Sequence, residues 1–406
     1  MNVLYFTQIF YPFLYGGGEY VFFLMAKELA KRGENVYVIT QRFKNTKPFE
    51  VFEGINIYRV GHELTYSGMM PPTIKHHLGY LISSFRKGSE LIMEKNRKSQ
   101  KVNIIHSNTY IPVISAQVCS SLHKIPHIVT WNSPVYQAYN KRFWTEWTLS
   151  QDPKPPFYTA IISKALERII MRLPIHTIHA VSEASKEDLV AFKVKDSKIN
   201  VIPNGLLLSQ YQYDNAYDYI TSSSHTSEPT VVYVGRLVFY KNVQTVIKAF
   251  KNVVQAIANA RLVIVGDGPH KNNLIKEAEC IKNNVEFTGR VDDHEKIRII
   301  KSSSFIVFPS LYETFGMIVI EGFACKKPVL VSNIRPLSDI VKHGYTGFVI
   351  PTSGIGAWTT MMINLLNDKT KQAEMGSNAY HEFRSKYELE MVVSRIQKLY
   401  ESMTKN

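Results

Sequence analysis

Three cysteines in 406 residues (Cys119, Cys280 and Cys325) are too few and too far apart for a disulfide framework, and no CxxC or Cys/His spacing offers a zinc site. That scarcity suits a reducing compartment, and the cytosol is the expected one. Also missing is an unbroken apolar run of the roughly eighteen residues that a membrane span needs. The most apolar stretch, 1–25, lacks a basic start and is interrupted by Thr7, Gln8, Pro12, Gly16 to Gly18 and Glu19. It reads as strand, glycine loop and helix, so neither a signal peptide nor a membrane anchor is expected. No G-x-G-x-x-G is completed: Pro269 follows the second glycine of Gly266-Asp267-Gly268, which argues against a nicotinamide dehydrogenase. Low-complexity tracts and short-period repeats are absent as well.

What is present is enough apolar material for two cores, with 45% hydrophobic against 20% charged residues. Runs rich in β-branched and aromatic residues at 3–7, 36–40, 104–107, 127–130 and 177–181 alternate with helical patterns at 19–32, 111–122 and 183–192. A second series follows, with strands at 231–234, 261–265, 285–288, 304–308, 329–332 and 347–350 and helices at 242–257, 270–282 and 316–325. The runs are apolar on consecutive residues, as parallel strands covered on both faces require, and the alternation is that of βαβ units. The expectation is α/β: two facing, Rossmann-like, doubly wound domains. The first spans 1–208 and the second 230–385, joined by a Ser/Thr/Tyr/Asp/Asn-rich linker at 209–229, and a helix at 386–406 is expected to return to the first domain.

Lys and Arg number 48 against 34 Asp and Glu, a net charge of +14. Residues 1–210 hold 25 basic and 15 acidic side chains, so most of the excess lies in the first half. An anionic partner is expected there, and a membrane surface is one such partner.

Ligands of doubly wound folds gather at the carboxyl ends of the strands, where loops enter helix N-termini. Three loops of this chain carry suitable chemistry. The first, 12–19, contains Gly17 and Gly18, where the main chain can approach an anion unobstructed by a Cβ. In the second, 235–242, Arg236 and Lys241 end a buried strand and can reach one diphosphate together, as a fork and as a point charge. The third runs through 309–322: Glu313 lies in a loop and Glu321 inside the helix that begins near Gly316. One carboxylate can meet a sugar and the other a ribose diol, while main-chain N–H groups near Phe315, Gly316 and Met317 suit phosphate oxygens.

The ordered set of V-G-R-L-x3-K-N (234–242), G-D-G-P, F-T-G-R-V and Glu313-x7-Glu321, preceded by Ala180-Val-Ser-Glu183 and Ile202-Pro-Asn-Gly205, resembles glycosyltransferase family 4, retaining enzymes of GT-B fold. The resemblance covers nearly the whole chain. It implies a hexosyltransferase using a nucleotide diphosphate sugar, with no metal and no other cofactor. Arg236 and Lys241 would hold the diphosphate, Glu313 would contact the transferred sugar, and Glu321 would bind the ribose. Phe315 and Gly316 would offer backbone N–H groups, Gly289 and Arg290 would border the nucleobase, and Gly17 and Gly18 would close over the phosphates. The acceptor would be a saccharide or a lipid-linked molecule of polysaccharide, glycolipid or glycoprotein biosynthesis.

The acceptor side departs from the family. Where relatives carry histidines, this chain has Asn108 and Asn132, which can position a hydroxyl but cannot act as a base, and His106 remains beside the first of them. Pro126 separates His123 from His127 and argues against a metal pair on one helix. Two other functions compete: a nucleotide-sugar epimerase or hydrolase of the same fold, for which no acid/base set is visible, and a basic nucleic-acid-binding protein, for which no recognition motif is visible. An aromatic-rich loop at 135–158 fits a sugar platform, a lipid-facing flap or packing equally well.

Overall fold

The computed structural model describes residues 1–14, 16–65, 74–108, 110–132, 159–212 and 228–405, so the loop at 135–158 and most of the 209–229 linker lie outside the described residues. The described parts of 1–140, 155–205 and 389–406 form one compact unit, and those of 206–388 form another.

The first unit is built on an eight-stranded sheet: β1 (Asn2–Phe6), β2 (Asn35–Phe43), β3 (Phe49–Phe52), β4 (Ile55–Leu64), β5 (Ile104–Asn108), β6 (His127–Trp131), β7 (Thr177–Ala180) and β8 (Ile199–Val201). Their order is β3-β4-β2-β1-β5-β6-β7-β8, parallel except for β3, which pairs antiparallel with β4. Every residue of β5 and β6 is buried, which explains why these strands are apolar on consecutive residues. The β3–β4 hairpin falls in a stretch where the sequence shows no strand pattern. Its alternation is broken by Arg59, which is 5% exposed on β4 and donates to Glu50 and to the carbonyls of Lys47 and Tyr11. A buried arginine satisfied by three partners cannot be told in advance from a solvated one.

The helix Leu389–Thr404 belongs to this unit. Tyr400 is fully buried in it and bonds Tyr5 and His106, while Arg32 donates to Ser394, Gln397 and the carbonyl of Glu390.

The second unit has six parallel strands: β9 (Thr230–Val234), β10 (Arg261–Val265), β11 (Val285–Gly289), β12 (Phe305–Phe308), β13 (Val329–Ser332) and β14 (Gly347–Ile350). Their order is β11-β10-β9-β12-β13-β14. The winding reverses between β9 and β12, whose following loops hold Arg236 and Lys241 on one side and Glu313 on the other. Such a switch point leaves a crevice at the carboxyl ends of the strands.

Candidate functional site

The loop after β9 is braced from β10. A Cβ on Gly266, whose φ is +139°, would fall 1.9 Å from the carbonyl oxygen of Gly235, so only glycine permits the two loops to touch. Leu237 N–H donates to Asp267 C=O at 2.9 Å, and His270 N–H donates to Leu237 C=O at 2.9 Å. Gly266-Asp267-Gly268-Pro269 is therefore scaffolding for the Arg236/Lys241 loop.

That loop converges on Tyr240, a buried residue that sequence inspection passed over. Arg236 Nη2 donates to the Tyr240 hydroxyl, with the guanidinium carbon 6.0 Å from the ring centre. The Lys241 ammonium lies 5.4 Å from the same ring and 5.0 Å from that of Phe308. Lys241 also forms an ion pair with Glu313, and both side chains are nearly buried, at 12% and 11% exposed. Ser310 Oγ donates to the same Glu313 oxygen at 2.8 Å, and Leu311 N–H donates to Tyr240 C=O at 2.8 Å, tying the two loops together. Burial, then Glu313, pushes the Tyr233 hydroxyl well above the usual phenol range, so it stays protonated and donates to Arg236 C=O at 3.1 Å.

The helix Met317–Ala324 starts from Gly316, which sits in the left-handed region at φ 101° and offers no side chain to cap the first turn. Its N-terminal N–H groups and the positive end of its dipole are thereby available to an anion. Phe315 is buried edge-on against Tyr387. Further along the helix, Glu321 is 8% exposed and faces Lys296, whose ammonium lies 3.3 Å from Oε2 and 3.4 Å from Oε1. Lys296 gave no signal in the sequence because it lies 25 residues away on another helix. Gly289 ends β11 at φ 73° and its carbonyl accepts from Gly266 N–H at 2.8 Å, with the exposed Arg290 following.

The residues expected in the first unit divide. Gly17 opens the helix Gly17–Lys31, and a Cβ on Gly18 would fall 2.4 Å from Asn132 Nδ2, so that glycine allows the helix to press on Asn132. Asn108 ends β5 and is buried. His106 is not an open acceptor-side group. It is 0% exposed and both its ring nitrogens are engaged, Nδ1 with Tyr400 at 2.5 Å and Nε2 with Thr130 at 2.6 Å. His127 likewise bonds Ser107 and Gln117, and the helix carrying His123 ends at that residue.

Two family models match the chain. "Glycosyltransferase Family 4" covers residues 15–210 and "Glycosyl transferases group 1" covers residues 219–382. The chain is 25% identical to the alpha-monoglucosyldiacylglycerol synthase of Streptococcus pneumoniae, over 86% of this chain and 74% of that one. In structure it is similar to the sucrose-phosphate synthase of Thermosynechococcus elongatus, with TM-score 0.78, 20% identity, and coverage of 99% of this chain and 98% of that one. It is also similar to Anabaena HepE in complex with UDP-glucose, with TM-score 0.71, 17% identity, and coverage of 99% and 100%. With two α/β units and matches of this extent, the chain belongs to the family-4 type of glycosyltransferases and has the GT-B fold.

Proposed function

We propose that this glycosyltransferase moves a hexose or N-acetylhexosamine from a nucleoside diphosphate sugar to a saccharide or lipid-linked acceptor, with retention at the anomeric carbon and without a metal ion. The observation that carries the reading is the convergence of Arg236 and Lys241 on Tyr240, with Glu313 paired to Lys241, at the sheet's switch point. Departure of a nucleoside diphosphate builds negative charge on its phosphate oxygens. Two cations meet that charge: Arg236 as a planar fork and Lys241 as a point charge, helped by the helix N-terminus at Gly316. In the free protein Glu313 holds Lys241 in place, and with donor bound it accepts a hydroxyl of the sugar while the ammonium turns to the diphosphate. Phe315 and Gly316 offer main-chain N–H groups to the donor, Glu321 accepts the ribose hydroxyls, and Gly289 and Arg290 border the base. In the first unit, Gly17 and Gly18 leave the main chain open to an anion, and Asn108 and Asn132 are the groups for orienting an acceptor hydroxyl. Neither asparagine can take a proton, so the leaving phosphate oxygen takes the one released by the acceptor hydroxyl.

Transfer from UDP-glucose, UDP-N-acetylglucosamine and GDP-mannose in the presence of chelator, with the product anomer read by NMR, tests the reading. An α-linked product is expected, and Lys241→Ala should lower kcat by about 100-fold or more, the scale of losing one charge-stabilising group. An inverted product, or undiminished turnover in Lys241→Ala, would contradict it.

The basic first unit also suits an anionic membrane surface. On the helix Ile74–Arg97, Leu78, Ile82 and Met93 are exposed beside Lys75, Arg86 and Arg97, and no helix among the described residues is long and apolar enough to cross a bilayer. Sedimentation with phosphatidylglycerol vesicles that weakens with salt is expected, and equal binding to neutral vesicles would refute the surface.

A further inference from the structure

Lys296 lies in the second turn of the helix Asp293–Ser302, whose first turn is fixed by the Asp292 carboxylate accepting from Glu295 N–H at 2.8 Å. Its side chain is 19% exposed. The ammonium is anchored to Asp293 Oδ1 at 2.9 Å and stands farther from Glu321, almost equally from its two oxygens, at 3.3 and 3.4 Å. Burial pulls this ammonium's pKa down, but Glu321 and then Asp293 reverse that effect and leave it raised, so the lysine stays charged at neutral pH.

Two physical requirements bear on Glu321. It is 8% exposed, and burying a carboxylate is costly unless a cation or hydrogen-bond donors accompany it. To grip a diol it must also keep acceptor directions open, and a carboxylate has about four lone-pair sites. A lysine bonded tightly to Asp293 and loosely to both oxygens of Glu321 meets both requirements: it balances the charge without occupying the acceptor sites as a close hydrogen-bonded partner would.

We propose that Lys296 is a positioning residue for nucleoside recognition, its ammonium anchored by Asp293 and holding the Glu321 carboxylate in the orientation that accepts the 2′- and 3′-hydroxyls of the donor ribose. This rests on the donor-site reading above and adds to it the residue on which ribose selection depends. Lys296 touches no reacting atom, and its effect passes through Glu321.

The test is calorimetric titration of UDP, GDP and ADP into wild type, followed by comparison of each nucleotide that binds with its 2′,3′-dideoxy counterpart in wild type, Lys296→Met and Lys296→Arg. Wild type should prefer the ribonucleotide. Lys296→Met should lose that preference by about tenfold or more, the scale of a hydrogen bond to a charged group. It should still bind the dideoxynucleotide as wild type does, which also shows that it is folded, and Lys296→Arg should restore the preference. If wild type binds both sugars equally, Glu321 is not the ribose ligand and the donor-site reading falls together with this inference. If wild type prefers ribose and Lys296→Met keeps that preference, the inference alone is overturned. Loss of both nucleotides in Lys296→Met would also overturn it, because the lysine would then support the whole site.

Discussion

Five side chains of the first unit form one buried hydrogen-bonded relay whose proton positions follow from a single carbonyl. Ile202 C=O can only accept, so His179 Nε2 carries the proton and its Nδ1 accepts from Thr130. The Thr130 oxygen in turn accepts from His106 Nε2–H, His106 Nδ1 accepts from Tyr400, and the Tyr400 oxygen accepts from Tyr5. A proton added to any of these rings breaks the relay. Burial lowers His179 to about 4 and His127 to about 3, and it lowers His106 as well, with His179 and His127 adding to the effect. Above pH about 6.5 these rings are neutral in both folded and unfolded chains and contribute no pH dependence. Below it only the unfolded chain takes up protons, so each ring costs about 1.4 kcal/mol of stability per pH unit until its folded value is reached. Urea midpoints should therefore fall as pH goes from 7 toward 5, and an unchanged or rising midpoint would contradict the neutral relay. His106 at a strand end read equally well as core or as function in the sequence. Nothing short of its partners, one of them 294 residues away, could decide between them.

At the scale of elements, the helix Met317–Ala324 depends on one residue. Gly316 stands at φ 101°, and a Cβ there would meet Leu337 Cδ2 at 2.6 Å. Gly316→Ala should cost about 1–3 kcal/mol from the left-handed backbone alone and weaken nucleotide binding by turning the first-turn N–H groups. Thermal melting and titration together would check this, and a variant that melts and binds like wild type would show that the turn is not constrained. Most elements were legible because parallel strands covered on both faces leave continuous apolar runs, as in β9, β12 and β13. The motif spacings likewise located Arg236, Lys241, Glu313 and Glu321, since loop residues after strands and helix starts are fixed by local geometry. Ser310, Tyr240 and Lys296 were not legible. Ser310 and Tyr240 look like ordinary loop residues until the two loops meet, and the Lys296–Glu321 pair joins two helices far apart in the chain.

Over the whole molecule, two α/β units divide the chain, and the division does not follow chain order to its end. The last helix, Leu389–Thr404, packs with the first unit. The second unit carries the cations, carboxylates and helix terminus gathered at its switch point, and the account stands or falls on what binds there. The most direct measurement is calorimetric titration of UDP, GDP and ADP, each in chelator and in magnesium, into wild type and Glu321→Ala. One nucleotide should bind wild type equally with or without magnesium and bind Glu321→Ala about tenfold or more weakly, as loss of a charged hydrogen-bond acceptor requires. Binding that needs magnesium, or that is untouched by the substitution, would contradict it.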